Sequence, residues 1–160
     1  CMKPHQHQLA TNIRGESIAV LNRHLAAAID LHAQVKQAHW NVRGETFIAL
    51  HELFDKIADD VEEWSDMIAE RAAALGGEAE GTVQVAAASS FLPRYTLKIA
   101  ACAKHAEAIA AALGAFSASL RAAIDASAAA GDAVTADLFT EIARAADKQT
   151  WFVAAHHPPH

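Results

Sequence analysis

His51 and Asp55 stand four residues apart, and so do Asp66 and Glu70. Imidazole and carboxylate groups at that spacing lie one turn apart on one face of a helix, where each pair can offer two donors to a metal ion. From Asp55 to Asp66 is eleven residues, close to three whole turns, so both pairs share one stripe but sit roughly 16 Å apart along the axis. One ion cannot touch both. Two copies of the helix packed antiparallel about a two-fold axis would instead bring the His51/Asp55 end of one chain to the Asp66/Glu70 end of the other. Two equivalent sites would then form between two chains. Mixed carboxylate and imidazole ligands suit Fe(II), and hard carboxylate oxygens favour the Fe(III) product, whereas a thiolate-rich set would point to zinc or copper.

The surrounding residues predict the helix that this geometry needs. Phe47, Leu50, Phe54, Ile57, Val61, Trp64 and Ile68 alternate steps of three and four, the pattern of a helix burying one face in a bundle. Thr46 is placed to cap its start, and Gly76 with Gly77 to end it in a left-handed turn. The ligand stripe runs one residue after most of the apolar positions, so it flanks the core and can face a partner. A first helix is expected from Glu16 to Val42, with Ile18, Leu21, Leu25, Ala28, His32, Val35 and His39 at core spacing. The short turn through Asn41, Arg43 and Gly44 makes the first two helices an antiparallel hairpin.

About twenty residues rich in Gly, Ser and Ala then run from Leu75 to Arg94. A second helix roughly 42 Å long needs some thirteen or more extended residues to be retraced, so this segment has the length of a crossover to a parallel helix. The third helix is expected from Tyr95 to Ala129, with Ile99, Cys102, Ala106, Ile109, Leu113, Phe116, Leu120 and Ile124 on its buried stripe. Gly131 and Asp132 mark the turn into a last helix, Val134 to Ala155. The expected fold is all-α, a ferritin-like four-helix bundle with a long crossover between its second and third helices. Residues 1–15 read as an N-terminal tail, 16–155 as the bundle and 156–160 as a His/Pro-rich C-terminal tail. No Glu-x-x-His occurs in the chain, so the di-iron site that such bundles build inside one subunit lacks its usual motif. That strengthens the case for a site between chains.

A chain of 160 residues with 52% hydrophobic content and abundant alanine fits one helical domain with a sizeable core. No apolar run is expected to approach membrane-spanning length, and no export signal is visible, which predicts a cytoplasmic protein. Two cysteines, Cys1 and Cys102, form no finger spacing and no disulfide framework. Cys102 reads as buried filler, and Met2 reads as an initiator preceded by an added Cys1.

The segments Lys36-Gln37-Ala38-His39-Trp40-Asn41, Phe47-Ile48-Ala49-Leu50-His51-Glu52, Asp66-Met67-Ile68-Ala69-Glu70-Arg71 and Leu75-Gly76-Gly77 resemble the signature of the Dps family, the mini-ferritins named as DNA-binding proteins from starved cells. Thr135-Ala136-Asp137 and Asp147-Lys148 extend the likeness over nearly the whole chain. The resemblance implies a hollow shell of twelve subunits with ferroxidase centres at two-fold interfaces. By motif position, His39, His51 and Asp55 of one subunit and Asp66 and Glu70 of its partner would hold iron. It also implies oxidation of Fe(II), preferably by hydrogen peroxide but also by dioxygen, storage of ferric mineral and suppression of hydroxyl-radical chemistry.

Blander readings stand beside these. His39 alone could be a hydrogen-bonded core histidine, and His51/Asp55 alone an exposed helix pair. Trp40 reads equally well as a sink for oxidising equivalents, as the resemblance implies, or as an interface aromatic. His24, His32 and His105 have no ligand company. Asp59, Glu62 and Glu63 read as a solvated acidic face or as a mineral-seeding surface. Asp132, Asp137 and Glu141 either line an iron-entry pore, as the resemblance implies, or simply favour a helix N-terminus. The terminal His156-His157-Pro158-Pro159-His160 reads as a free end with weak metal affinity.

The rival function is a nucleoid-compacting DNA-binding protein with little ferroxidase activity. Phosphate binding wants clustered Lys and Arg, but only Lys3 and Arg14, with His5 and His7, precede the first helix. At −6 per chain, twelve copies would sum to roughly −70, and long-range repulsion opposes DNA. DNA binding is therefore expected to be weak at neutral pH.

Overall fold

The computed structural model describes residues 9–157. Lys3, His5, His7 and His160 lie outside them. Five helices follow in order: α1 (Thr11–Asn41), α2 (Phe47–Ala74), α3 (Val83–Ser89), α4 (Cys102–Ala129) and α5 (Ala133–Ala154). The two hairpins α1/α2 and α4/α5 pack with α1 against α4 and α2 against α5, giving the ferritin-like four-helix bundle.

Leu21, Leu25, Leu31, Leu50, Phe54, Ile57, Ile68, Ile109, Leu113, Phe116, Leu120 and Phe139 close the core and are almost wholly buried. Burying each such side chain contributes about 2 kcal/mol, so the bundle is held by the periodic stripes rather than by local helix preference. Trp64 stacks on Phe116 with ring centroids 6.1 Å apart, joining α2 to α4. Phe47 departs from its expected place. It stands at the first position of α2, past the end of the core, and is 39% exposed.

α2 ends as expected. The Gly76 amide donates to the Ala73 carbonyl at 2.9 Å and the Gly77 amide to the Ala72 carbonyl at 3.0 Å, while Gly76 adopts φ +88°, which together make a Schellman cap. A Cβ on Gly77 would stand 2.6 Å from Ile18, so only glycine lets the chain leave α2 against α1. At the other end Thr46 holds the cap position, but its side chain makes no capping bond.

The crossover retraces the bundle along α1. Asn22 bonds both the Glu78 carbonyl and the Glu80 amide, each at 2.9 Å. Farther along, Ser90 donates to Asp30 at 2.6 Å and Gln34 to the Pro93 carbonyl at 3.1 Å. The chain therefore runs beside α1 in the same direction and starts α4 parallel to α2. Three boundaries differ from expectation. α1 begins earlier, at Thr11, and a short helix, α3, interrupts the crossover with Thr82 accepting from the Val85 amide at 3.3 Å. α4 begins at Cys102 rather than Tyr95, because residues 95–101 form no helix and pair instead with the α1/α2 turn. There the Arg43 amide donates to the Ala100 carbonyl at 2.7 Å and the Cys102 amide to the Arg43 carbonyl at 3.0 Å.

Cys102 is accordingly half-buried, not core filler, and its thiol lies 3.2 Å from the Arg43 carbonyl. α4 also corrects the expectation about apolar runs, since an 18-residue stretch of it reaches a mean hydropathy of 1.3. Alanine supplies that apolarity. The large residues Ile109, Leu113, Phe116 and Leu120 lie on one face, and that face is buried in the bundle.

Candidate metal centre

The turn between α1 and α2 folds His39 and His51 onto one another. The His39 Nδ1 lies 2.7 Å from the His51 carbonyl oxygen, and the His51 Nδ1 lies 2.8 Å from the His39 carbonyl oxygen. A carbonyl only accepts, so each Nδ1 carries the hydrogen and each Nε2 keeps its lone pair. The rings stack at 3.8 Å with 19° between planes, and Phe47 packs beside His51 at 5.1 Å. Both imidazoles are thus held in one tautomer and one orientation.

Asp55 joins this pair from the next turn of α2. Its Oδ1 lies 3.8 Å from the His39 Nε2 and accepts from the Lys36 ammonium at 2.7 Å. That hydrogen bond, helped by the Lys36 charge, holds the Asp55 carboxyl below the usual carboxylate range against the opposing effect of burial. Asp55 is ionised and ready to bind a cation. Lys36 also reaches over the Trp40 ring, 5.9 Å from its centroid, and Trp40 is 67% exposed.

Asp66 and Glu70 lie farther along α2, both exposed, and among the described residues neither makes a hydrogen bond or ion pair. The structure brings His39, His51 and Asp55 together and leaves Asp66 and Glu70 apart from them. No group of three or more His, Cys, Asp or Glu among the described residues closes on a single ion. A groove of about 710 Å³ runs beside Asp66, with Leu25 and Ile29 in its floor and Asp59, Glu62 and Glu63 on its rim. Acids of α2 and apolar residues of α1 thus line one groove.

Beside the acidic pair a neighbouring side chain ties α2 to the start of α5. Arg71, next to Glu70, donates from Nε to Thr135 at 3.0 Å and from a guanidinium nitrogen to Asp132 at 3.2 Å. Asp132 is only 1% exposed. It caps α5 through the Thr135 amide at 3.1 Å and accepts from Ser17 at 2.6 Å. Burial pushes its pKa up, but the bonds from Ser17 and Thr135 and the Arg71 charge outweigh that and leave it lowered. Asp132 therefore stands where the second of its two readings puts it, at the start of α5, with both oxygens engaged inside the subunit. Asp137 and Glu141 remain exposed, one turn apart on α5.

Sequence reasoning gave His24 and His105 no role, and each proves to be a buried, doubly bonded ring. His24 lies 2.8 Å from the Val20 carbonyl oxygen and 2.9 Å from the Ser119 hydroxyl. Burial lowers its pKa despite the bonds that oppose this. No periodic signal marks such residues, since their partners sit up to 95 positions away in sequence. Arg14, counted among the cations preceding the first helix, instead lies within α1, with its guanidinium 3.5 Å from the Leu75 carbonyl and 3.4 Å from Thr11.

Known proteins match this chain along almost all of its length. The Ferritin-like domain family model matches residues 18–157. A DNA protection during starvation protein from Agrobacterium fabrum is 41% identical over 157 residues, 97% of each chain. DpsC from Streptomyces coelicolor superposes with a TM-score of 0.92 at 32% identity, covering 99% of this chain and 94% of its own. Dps from Microbacterium arborescens, solved in a high iron form, superposes with a TM-score of 0.86 at 32% identity over 92% of this chain and 95% of its own.

Proposed function

The chain belongs to the ferritin-like family and, within it, to the Dps mini-ferritins, and from that premise we propose that it oxidises Fe(II) at a centre shared between two copies and stores the ferric product. The observation that carries this reading is the reciprocal lock of His39 and His51, which leaves two Nε2 lone pairs beside an ionised Asp55. Structural histidines use both nitrogens, as His24 does here. These two each keep one in reserve. Asp66 and Glu70 of a second copy would supply the oxygen ligands that the single chain does not bring within reach.

Iron is the substrate in this scheme. His39, His51, Asp55, Asp66 and Glu70 hold Fe(II), and the three carboxylates among them favour Fe(III) through their negative charge. The Lys36 ammonium must leave Asp55 as iron enters, and Trp40 offers it a place to rest. Two ferrous ions supply the two electrons that convert one hydrogen peroxide, with two protons, to two waters. Removing both reagents protects DNA without binding it. Dioxygen is the alternative oxidant. The ferric product would be stored in a shell of twelve copies, with Asp137 and Glu141 as candidates for the acids of its entry pore.

The rival DNA-compacting reading finds no support in Arg14, which is packed against the α2 terminus. A native mass measurement combined with anaerobic Fe(II) titration and peroxide addition tests the proposal. The expected result is a mass near twelve subunits, Fe(II) bound per dimer interface and peroxide consumed with it. A monomer that oxidises iron at full rate, or a shell that binds none, would overturn it.

A further inference from the structure

Where the crossover meets α4, a phenol and an imidazole form a short hydrogen bond that the metal chemistry does not use. Tyr95 Oη lies 2.5 Å from His105 Nδ1, and His105 Nε2 lies 3.0 Å from the Ile99 carbonyl oxygen. The carbonyl can only accept, so Nε2 carries the ring hydrogen and Nδ1 offers its lone pair to the phenol. Tyr95 is therefore the donor. Burial lowers the His105 pKa despite the bond to Ile99, which keeps the ring neutral near pH 7 and able to take a proton. Burial also raises the Tyr95 pKa well above that of an ordinary phenol, so simple ionisation to phenolate is closed.

Oxidising a phenol makes it a very strong acid, and a base in hydrogen-bond contact lets electron and proton leave together. A cavity of about 360 Å³ opens on Tyr95, lined in part by Gln34, Ile99, Lys104 and Glu107. Small reagents can reach Tyr95 there, while His105 behind it is 1% exposed. The two rings lie nearly parallel, 6.0 Å apart at 18°, and the proton can cross without movement of either.

We propose that Tyr95 and His105 form a proton-coupled redox pair that quenches one-electron oxidants of the hydroxyl-radical class. In the forward step an electron leaves the Tyr95 phenol for the radical, which becomes hydroxide and takes a proton from solvent to give water. The phenolic proton passes from Oη to His105 Nδ1, leaving a neutral phenoxyl radical beside an imidazolium. In the return step a soluble one-electron reductant, of the ascorbate or thiol class, restores the electron and the proton moves back to Oη. The net change is one radical, one electron and one proton converted to one water. His105 is the proton acceptor, and Gln34, Lys104 and Glu107 shape the way in.

Tyr95 is the only tyrosine in the chain, so a tyrosyl signal reports on it alone. The test uses the iron-free, assembled protein and azide radicals made by pulse radiolysis, with optical and EPR detection, and so does not depend on the metal site. The wild type should give a phenoxyl signal that Tyr95→Phe lacks, and it should form more slowly in D2O. His105→Asn puts a carbonyl oxygen near the position of Nδ1, where it accepts the phenol hydrogen bond but cannot take the proton. Phenoxyl formation should then slow by roughly tenfold or more. A wild type that shows no solvent isotope effect, or that leaves the oxidation on tryptophan alone, overturns the proposal without any variant being needed. Wild-type kinetics in folded His105→Asn would overturn it as well.

Discussion

In the proposed centre the two ends of α2 prepare for metal in opposite ways, each as half of a different site. At the N-terminal end the side chains themselves are fixed, since His39 and His51 bind each other's carbonyls and Lys36 holds Asp55. At the C-terminal end the Arg71 side chain ties the helix to Asp132 and Thr135, and the side chains of Asp66 and Glu70 reach no partner among the described residues. The difference teaches which half orients and which half closes. Imidazoles need one tautomer and one angle to bind a metal, so they are set in advance. Carboxylates bind from many angles and lose little by waiting for the second copy.

The largest effect should come from removing what is fixed in advance. His51→Ala deletes one ligand and frees the ring of His39, so Fe(II) affinity measured by anaerobic titration should fall about 100-fold or more. Retention of wild-type affinity would show that the lock is structural only.

Next in size is the side-chain anchor between α2 and α5. Asp132→Asn keeps an N-cap but leaves Arg71 without its charge partner, which should destabilise the fold by about 2 kcal/mol at pH 7. The folded pKa of Asp132 lies below its ordinary value, so the stabilisation is present above the unfolded pKa and is lost as pH falls through the folded one. Thermal melts of both proteins from neutral pH down to acid should therefore converge. A constant gap across that range would mean that the charge is not responsible.

Smaller still, Glu70→Gln keeps shape and removes one charge at the waiting end, and should weaken Fe(II) binding roughly tenfold with no change in the melting curve. Stopped-flow oxidation at the wild-type rate would remove Glu70 from the site. The smallest change is expected from Lys36→Gln, which frees Asp55 of its competitor. Fe(II) should bind a few-fold more tightly, by the amount a half-exposed ion pair is worth, and Trp40 fluorescence should respond less to metal. Weaker binding would mean that Lys36 assists iron rather than yielding to it.

The α2 end that carries the site was legible in sequence because both the apolar stripe and the ligand stripe are periodic. Leu50, Phe54, Ile57, Val61 and Ile68 are all buried at the spacing that predicts them, and Gly76 closes the helix in the left-handed turn its position requires. The crossover was legible as a length and not as a shape. α3 is mostly Val and Ala and too short to show a period, and the delayed start of α4 is set by Arg43, nearly sixty residues upstream. Asp132 was legible as an acid at the start of a helix, but its partners Ser17 and Arg71 were not, since they lie far off in the chain. His51 and Asp55 were legible as ligand types at ligand spacing, and His39 only through the family resemblance. The reciprocal lock of His39 and His51 was not legible, because it depends on how tightly the α1/α2 turn closes.

The central claim is that one site needs two chains, and mixing subunits tests it most directly. His51→Ala and Asp66→Ala shells, each inactive in Fe(II) oxidation when pure, are dissociated, combined and reassembled. Mixed dimers then hold one site with both halves intact, and the account predicts that oxidation returns in part. Properly assembled mixed shells that oxidise no iron would contradict it and place the whole site within a single chain.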